Sequence, residues 1–228
     1  SGIYKSLNCG LGSFDKKKDV INNLKIVKKK IKATSKKVVL LNQTHSNKFY
    51  YIDKNYKYKN NKFIGDALIT DKKNLPIGVL TADCAPILVH DHNTKMIAAI
   101  HAGWRGAYKD IVSSVIKFMI KKGCLAENMT AAIGPCISLN NYQIKQDFIK
   151  KFLKKNNKNK RFFKKNNNKT YFSLNKYIYS QLKDLNIGNI EIINKDTFNI
   201  KNNFFSARRS NSRNEDDYGR NISIIMIK

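Results

Sequence analysis

Three short apolar runs follow one another closely in the middle of this 228-residue chain, and they limit its fold more than any other feature. They lie in "LPIGVLTADC", "APILVH" and "KMIAAIH", and each has the length of a strand buried in a sheet. Past Gly103 and Gly106, residues 107–122 carry apolar side chains at helical spacing, with lysines late and Gly123 as the stop. The region therefore predicts buried strands followed by an amphipathic helix.

Further strands and helices are predicted on both sides of this region. The predicted strands lie at 36–46, 66–70 and 129–137, in "NIEIIN" and in "NISIIMI", and the predicted helices at about 141–155 and 173–186. The segment 154–169 is polar and low in complexity, which predicts a mobile loop, and a second loop is expected over "NNFFSARRSNSRNEDDYGR". Mixed elements of this kind predict a single α/β (α+β) domain over 1–228, with mixed β-sheets covered by helices.

The charge of the chain is strongly positive, at +28 from 44 basic and 16 acidic residues, which raises the hypothesis of a nucleic-acid partner. The distribution argues against it. Six of the basic residues are arginines, and the lysines are scattered among asparagines, isoleucines and tyrosines, whose codons are A/T-rich like those of lysine. A low-GC genome explains this bias, so we predict a small-molecule partner and no nucleic acid. The positive charge should still attract small anions.

The cysteines and the first residues of the chain indicate the cellular compartment. Four cysteines without CxxC spacing or an apolar signal segment predict reduced thiols in the cytoplasm. No apolar run approaches the roughly 20 residues of a membrane span, so no membrane partner is expected. The first residue is Ser1 rather than Met, which predicts that the chain begins inside a longer product.

Three side chains that commonly bind metals stand at the ends of predicted apolar strands, namely His45, Cys84 and His101. Strand ends that meet at one edge of a sheet are where α/β proteins usually keep their sites. Two imidazoles and a thiolate suit Zn²⁺, and three protein ligands with an open fourth position are typical of a catalytic zinc site. Spacing alone leaves a second interpretation open, in which Cys84 is a small buried hydrophobic residue.

The motifs around these residues resemble one known family. "QTHS", "DALIT", "TADCAPIL", "HAGWRG" and "GPCI" occur in the order typical of the bacterial laccase-domain family, long regarded as polyphenol oxidases and now understood as purine nucleoside phosphorylases. The likeness extends from "SGIYKSLNCG" through "FFSARR" to "GR" near the end. It implies that His45, Cys84 and His101 are zinc ligands. Copper is the alternative metal, although a multicopper phenol oxidase would need many more histidines than the four present.

The resemblance also implies the reaction. In this family phosphate attacks the ribose C1′ of adenosine, inosine, guanosine or methylthioadenosine and releases the base and a ribose 1-phosphate. Hydrolytic deamination of adenosine is a second family activity. Two hypotheses from other classes stay open. One is a cysteine hydrolase or amidase acting on a peptidoglycan precursor, with Cys84 as nucleophile and His101 as base. The other is a basic binding module without catalysis.

Candidate substrate-binding residues lie in two motifs. In "GWRG" the glycines would let backbone N–H groups converge at the start of the 107–122 helix, and Arg105 would add a positive charge for an anion. In "FFSARR" the residues Ser206, Arg208 and Arg209 match the family pattern and could hold phosphate or ribose oxygens. The alternatives are packing of Arg105 and salt bridges from the other two arginines to "NEDD".

Other tempting residues receive structural interpretations. His90 and His92 are expected to face solvent where a strand turns over, and Cys136 in "GPCI" is expected to be a packed thiol. Gln143 stands where the family commonly has glutamate, so a carboxylate role is lost there. Asp196 stands where many relatives have cysteine, which argues against a second thiol site.

Overall fold

The computed structural model describes residues 2–35, 37–57 and 63–228. Its strands are β1 (Phe49–Ile52), β2 (Ala67–Thr70), β3 (Ile77–Thr81), β4 (Ala85–Asp91), β5 (Ile97–Ala102), β6 (Met129–Ile133), β7 (Gln143–Ile144), β8 (Phe163–Asn166), β9 (Lys169–Phe172), β10 (Asn189–Ile192) and β11 (Asn221–Ile225). Its α-helices are α1 (Lys17–Lys30), α2 (Trp104–Tyr108), α3 (Ile111–Lys121), α4 (Gln146–Lys155), α5 (Leu174–Asp184) and α6 (Ala207–Ser212). Within these ranges no helix has the length and apolarity needed to cross a membrane.

A six-stranded mixed sheet forms the centre of the fold, in the order β1-β2-β5-β4-β6-β10. The two outer pairs, β1 with β2 and β6 with β10, are parallel, and the inner pairs are antiparallel. Strand β3 pairs instead with β11 in a two-stranded antiparallel sheet, and β7, β9 and β8 form a third sheet. The predicted α/β (α+β) class with mixed sheets is therefore confirmed.

Strand β5 is apolar along its length because both of its faces are covered. Ala98, Ile100 and Ala102 belong to the larger core, which includes the buried face of α3. Ile97 and Ala99 belong to a second core with residues of β3. Since side chains alternate along a strand, His101 points to the same side as the second pair. The alternation thus directs this histidine toward the space between the large sheet and β3.

The helix predicted at 107–122 is two helices, α2 and α3. The chain breaks between them at Asp110, which adopts the left-handed conformation with φ of +62°. Side chains from neighbouring helices bind backbone carbonyls at this break, since Gln181 donates to Ala107 O at 3.0 Å and Lys155 donates to Tyr108 O. The predicted stop is confirmed, since Gly123 ends α3 with φ of +96°.

The segment 154–169 is not the loop that its composition predicts. A 3₁₀-helix spans Asn157–Phe162, and β8 and β9 then form a hairpin. The turn residues Asn167 and Asn168 both have positive φ, which is the requirement of a two-residue type I′ turn. Phe162 is buried and anchors the segment to the larger core. The loop predicted after β10 likewise contains α6.

The strand predicted at 36–46 is also wrong in part. The described residues of this segment form only isolated bridges, Val39 with Ile77 and Asn42 with Ile64, and position 36 lies outside the described residues. The strands predicted in 66–70, 75–102 and 129–137 and the last two strands are confirmed, as is the helix near 173–186. The helix expected from about 141 begins later, at Gln146, after the short strand β7.

Candidate metal centre

The structure brings the three predicted ligands together. One ligand atom from each of His45, Cys84 and His101 lies within 4.8 Å of the other two. The Sγ of Cys84 is 3.8 Å from Nε2 of His45, and the two imidazole rings meet edge to face with centroids 4.9 Å apart. His101 is buried in β5, Cys84 is partly exposed just before β4, and His45 is exposed. The cluster is therefore anchored on one side and open on the other.

Asp66 organises two of the three side chains. It is fully buried, and its Oδ1 accepts a hydrogen bond from Nδ1 of His101 at 2.8 Å. The same carboxylate accepts the backbone N–H groups of His45 at 2.9 Å and Ser46 at 2.6 Å, together with the Ser46 hydroxyl at 2.7 Å. His45 can therefore leave the strand conformation and adopt φ of +56°. Sequence reasoning placed Asp66 inside a strand signal and missed this role.

The hydrogen bonds around Asp66 also fix its charge. Burial by itself would raise the pKa of this carboxyl, but the hydrogen bonds from His101 and Ser46 lower it well below its usual range. A charged Asp66 holds the Nδ1 proton of His101, so Nε2 is the nitrogen that offers a lone pair to a metal once its own proton has left. Such a carboxylate–histidine pair is the usual support of a metal-binding imidazole.

The turn that carries Cys84 is strained and held from outside. Asp83 has φ of +85°, in the region that favours glycine. Its Oδ1 accepts the Thr197 hydroxyl at 2.7 Å, and its Oδ2 accepts the backbone N–H of Arg208 at 2.6 Å. The backbone N–H of Ile137 donates to the Asp83 carbonyl at 3.0 Å. These contacts maintain the conformation that directs Cys84 toward the histidines.

The glycines of "HAGWRG" are required by close packing. A Cβ at Gly103 would lie 2.8 Å from Cys84 Sγ and 2.9 Å from Cδ2 of His45. A Cβ at Gly106 would lie 3.1 Å from the Ser46 carbonyl oxygen, on the loop that carries His45. Helix α2 begins at Trp104 and has five residues, so Gly106 lies inside it. The motif lets the helix approach two ligand side chains closely.

The thiol and the imidazole of the cluster shift each other's pKa. Burial raises the pKa of Cys84, but the positive charge and hydrogen bonds of His101 outweigh it, and the value falls to about 6. Burial lowers the pKa of His101, yet the Cys84 thiolate and Asp66 raise it to about 9. The thiolate form of Cys84 is the form that binds metals.

This donor set fits a metal ion. A thiolate and two imidazoles are ligands of Zn²⁺, and the open side of the cluster corresponds to the fourth position of a catalytic zinc site. Two imidazoles and a thiolate also occur in copper sites, so the donors alone do not select between the two metals. Across the described residues this is the one group of three such side chains close enough to share an ion.

A cleft of about 690 Å³ opens over the cluster, and its size is that of a small-molecule site. Besides the three candidate ligands, its described wall consists of Gly10, Leu11, Gly12, Leu40, Leu41, Asn42, Gln43, Phe63, Leu80, Thr81, Ala82, Tyr218 and Arg220. The wall is thus partly apolar and partly polar, and it combines segments from the beginning, middle and end of the sequence.

The four predicted substrate-binding residues lie outside this described wall. Arg105 is exposed on α2, with its guanidinium 5.4 Å from the Trp104 ring centroid. Ser206 is buried and caps α6 by accepting the backbone N–H of Arg209. Both Nη atoms of Arg208 donate to the Gln143 carbonyl at 3.1 Å.

Arg209 is likewise committed to the backbone. Its guanidinium donates to the carbonyls of Thr197 at 2.7 Å, Phe198 at 3.0 Å and Phe204 at 2.5 Å. The alternative of salt bridges to "NEDD" is not found for Arg208 or Arg209 among the described residues. These contacts support the Cys84 turn and the surrounding loops, and substrate binding by "FFSARR" stays a prediction.

The remaining candidates take structural positions. His92 is exposed in the turn after β4, as expected, whereas His90 lies within that strand and is partly buried. Cys136 is buried, and burial raises its pKa to about 12, which fits the predicted packed thiol. Asp196 accepts hydrogen bonds from Ser138 and Asn141, so it holds a loop in place.

Comparison with known proteins gives a consistent result. The family model described as multi-copper polyphenol oxidoreductase laccase matches residues 1–228. A purine nucleoside phosphorylase of Rickettsia conorii is 33% identical over 231 residues, which cover 98% of this chain and 94% of that protein. An adenosine deaminase from an unknown prokaryotic organism is 36% identical over 89 residues, which cover 39% of this chain and 34% of that protein. A crystal structure of a Neisseria meningitidis protein superposes with a TM-score of 0.86 at 27% identity, covering 100% of this chain and 89% of the other.

Proposed function

The chain belongs to the multi-copper polyphenol oxidoreductase laccase family, and from this membership and the geometry of its cluster we propose that it is a zinc-dependent purine nucleoside phosphorylase. The name of the Rickettsia conorii relative, which aligns over nearly the full chain, supports the reaction class. The observation that carries the proposal is the convergence of His45, Cys84 and His101 at a cleft large enough for a nucleoside.

The proposed division of roles follows the geometry. His45, Cys84 and His101 would hold the zinc ion, which when bound would supply a Lewis acid in the cleft. Asp66 keeps the Nδ1 proton of His101 and fixes the orientation of the ring. The hydrogen bonds to Asp83 keep Cys84 directed at the two histidines. The apolar side chains of Leu40 and Leu80 offer a surface for a purine base.

The proposed substrates are adenosine, inosine, guanosine and methylthioadenosine, each with phosphate, and the proposed compartment is the cytoplasm. Hydrolytic deamination of adenosine to inosine is proposed as a second activity. The similarity to an adenosine deaminase over 89 residues, which are 39% of this chain, supports this second activity. All four cysteines are free thiols, in keeping with a reducing compartment.

One experiment separates these activities. Zinc-loaded protein is incubated with adenosine, with and without phosphate, and adenine is resolved from inosine by chromatography. Adenine that forms only with phosphate supports phosphorolysis, and inosine supports deamination.

The Cys84→Ala variant should lose metal and turnover together while its thermal unfolding stays close to that of the wild type. Persistence of both activities in that variant would contradict the proposal. Elemental analysis distinguishes zinc from copper.

A second candidate is a cysteine hydrolase or amidase, for which a peptidoglycan precursor is the proposed substrate. The lowered pKa of Cys84 beside the raised pKa of His101 favours this chemistry, because a thiolate next to an imidazolium is also a nucleophile with its acid. The two candidates differ in their response to chelation. Phosphorolysis that is lost on chelation and regained with zinc supports the first. Activity that survives in verified metal-free protein and is lost on alkylation by iodoacetamide supports the second.

A further inference from the structure

Arg220 is the one side chain with a permanent positive charge among the described residues that line the cleft, and none of those residues is an aspartate or glutamate. It shares this wall with all three members of the cluster. The other arginines of interest, Arg208 and Arg209, lie outside the described wall and donate to backbone carbonyls. The electrostatics of the cleft therefore provide a binding position for one anionic group in the cleft that the cluster also lines.

The guanidinium of Arg220 is held in a defined orientation. Its Nη1 donates to the Tyr218 carbonyl at 2.8 Å and to Oδ1 of Asp217 at 3.4 Å, and its carbon lies 4.6 Å from the Tyr218 ring centroid. Within the described residues these bonds all leave from Nη1, so Nε and Nη2 keep N–H groups for a ligand. This edge of an arginine matches two oxygens of a phosphate group.

The N-terminal segment fixes the position of Arg220 from the opposite side. Asn8 is fully buried, and its Oδ1 accepts the backbone N–H groups of Arg220 at 2.9 Å and Gly10 at 3.0 Å. A Cβ at Gly10 would lie 2.2 Å from Cδ of Arg220, so the glycine allows the two segments to touch. Pre-organisation of this kind reduces the cost of ordering a long side chain on binding.

We propose that Arg220 binds the phosphate co-substrate in the cleft that the His45–Cys84–His101 cluster also lines. This inference rests on the proposed phosphorolysis. In that reaction a phosphate oxygen forms the bond to C1′ while the C1′–N9 bond breaks and its electron pair goes to the purine. The proton given up by hydrogen phosphate ends on the base. Phosphate must therefore lie beside the sugar, and a guanidinium in the same cleft holds it there.

The test compares Arg220→Gln with the wild type, both loaded with zinc. Loss of a charge-assisted bond predicts a rise of roughly 10- to 100-fold in the KM for phosphate. The KM for the nucleoside, the zinc content and the phosphate-independent deamination of adenosine should change little. Arg220→Lys should recover part of the phosphate affinity, and Arg213→Gln serves as the matched control, because Arg213 is exposed and outside the cleft wall.

Direct binding of inorganic phosphate, measured by equilibrium dialysis with labelled phosphate, separates this inference from the proposed function. Binding by the wild type that is weakened in Arg220→Gln supports the role of Arg220, even if no phosphorolysis is found. Equal phosphate binding and an equal phosphate KM in the two proteins would overturn it, as would a wild type that binds no phosphate. Thermal unfolding checks that both variants are folded.

Discussion

Substitution of Gly103 by alanine should disable the candidate metal centre without changing any of its three candidate ligands. The backbone at Gly103 has φ of −70° and ψ of 168°, which alanine adopts without strain. The added Cβ would nevertheless lie 2.8 Å from Cys84 Sγ and 2.9 Å from His45 Cδ2. Ordinary contacts between such atoms are about 3.5 Å or longer, so each side chain must move by roughly 0.6 to 0.7 Å.

That displacement is large for a metal site, where ligand distances hold to about 0.2 Å. Two of the three candidate ligands move, so we expect zinc affinity to fall by about 10- to 100-fold. Loss of a contact that supports a metal ligand has an effect of this size. Overpacking should also cost about 1–3 kcal/mol of folding stability. Zinc affinity is measured by competition with a chromogenic chelator, and stability by urea unfolding.

Gly12→Ala is the matched control. Gly12 lines the same cleft, but a Cβ there has no neighbour within 4 Å among the described residues, so the zinc affinity and stability of Gly12→Ala should match those of the wild type. A folded Gly103→Ala protein that binds zinc as tightly as Gly12→Ala would refute the argument that close approach of α2 determines the geometry of the cluster.

Three further predictions concern charge. Asp66→Asn should weaken zinc binding by about 10- to 100-fold, because it weakens the support of His101, and unchanged affinity in the chelator competition would contradict this. Burial would raise the pKa of Asp91, but hydrogen bonds from Thr94, Asn93 and Leu125 lower it. The charged Asp91 carboxylate therefore stabilises the folded protein fully above the pKa of the unfolded state, about 3.9. This stabilisation is lost as the pH falls through the lower pKa of the folded state. Between about pH 5 and pH 2, the free energy of urea unfolding should depend less on pH in Asp91→Asn than in the wild type. Parallel pH curves for the two proteins would argue against this. Finally, the scattered lysines predict weak binding to random DNA at physiological salt, and nanomolar binding in a filter assay would be incompatible with that prediction.

The sequence was sufficient to single out the three side chains that the structure brings together, because His45, Cys84 and His101 are chemically distinctive and stand near the ends of apolar segments. It was not sufficient to predict the role of Asp66, because the residues that follow it have the pattern of an ordinary buried strand. The role of that carboxylate depends on a loop some 20 residues earlier in the chain folding around it. Arg220 was missed for the same reason, since its site exists only where β11 brings it to the cleft.

The errors in the predicted secondary structure have identifiable physical causes. The "NNN" of the polar segment was interpreted as disorder, although consecutive asparagines at positive φ also form hairpin turns. The long helix was predicted across Asp110 because periodicity does not register a single left-handed residue whose neighbours are bound by other helices. In each case a contact distant in sequence or a turn preference outweighed composition.

The pairing of β11 with β3 has a consequence for how the protein folds. Asn221 and Thr81 are 140 residues apart in sequence, whereas His101 and Asp66 are 35 apart. Closing a long loop costs more chain entropy and slows the formation of the contacts that it permits. During refolding, the histidine–carboxylate pair should therefore form ahead of the wall that carries Arg220. Stopped-flow refolding should recover helical circular dichroism first and phosphate binding last.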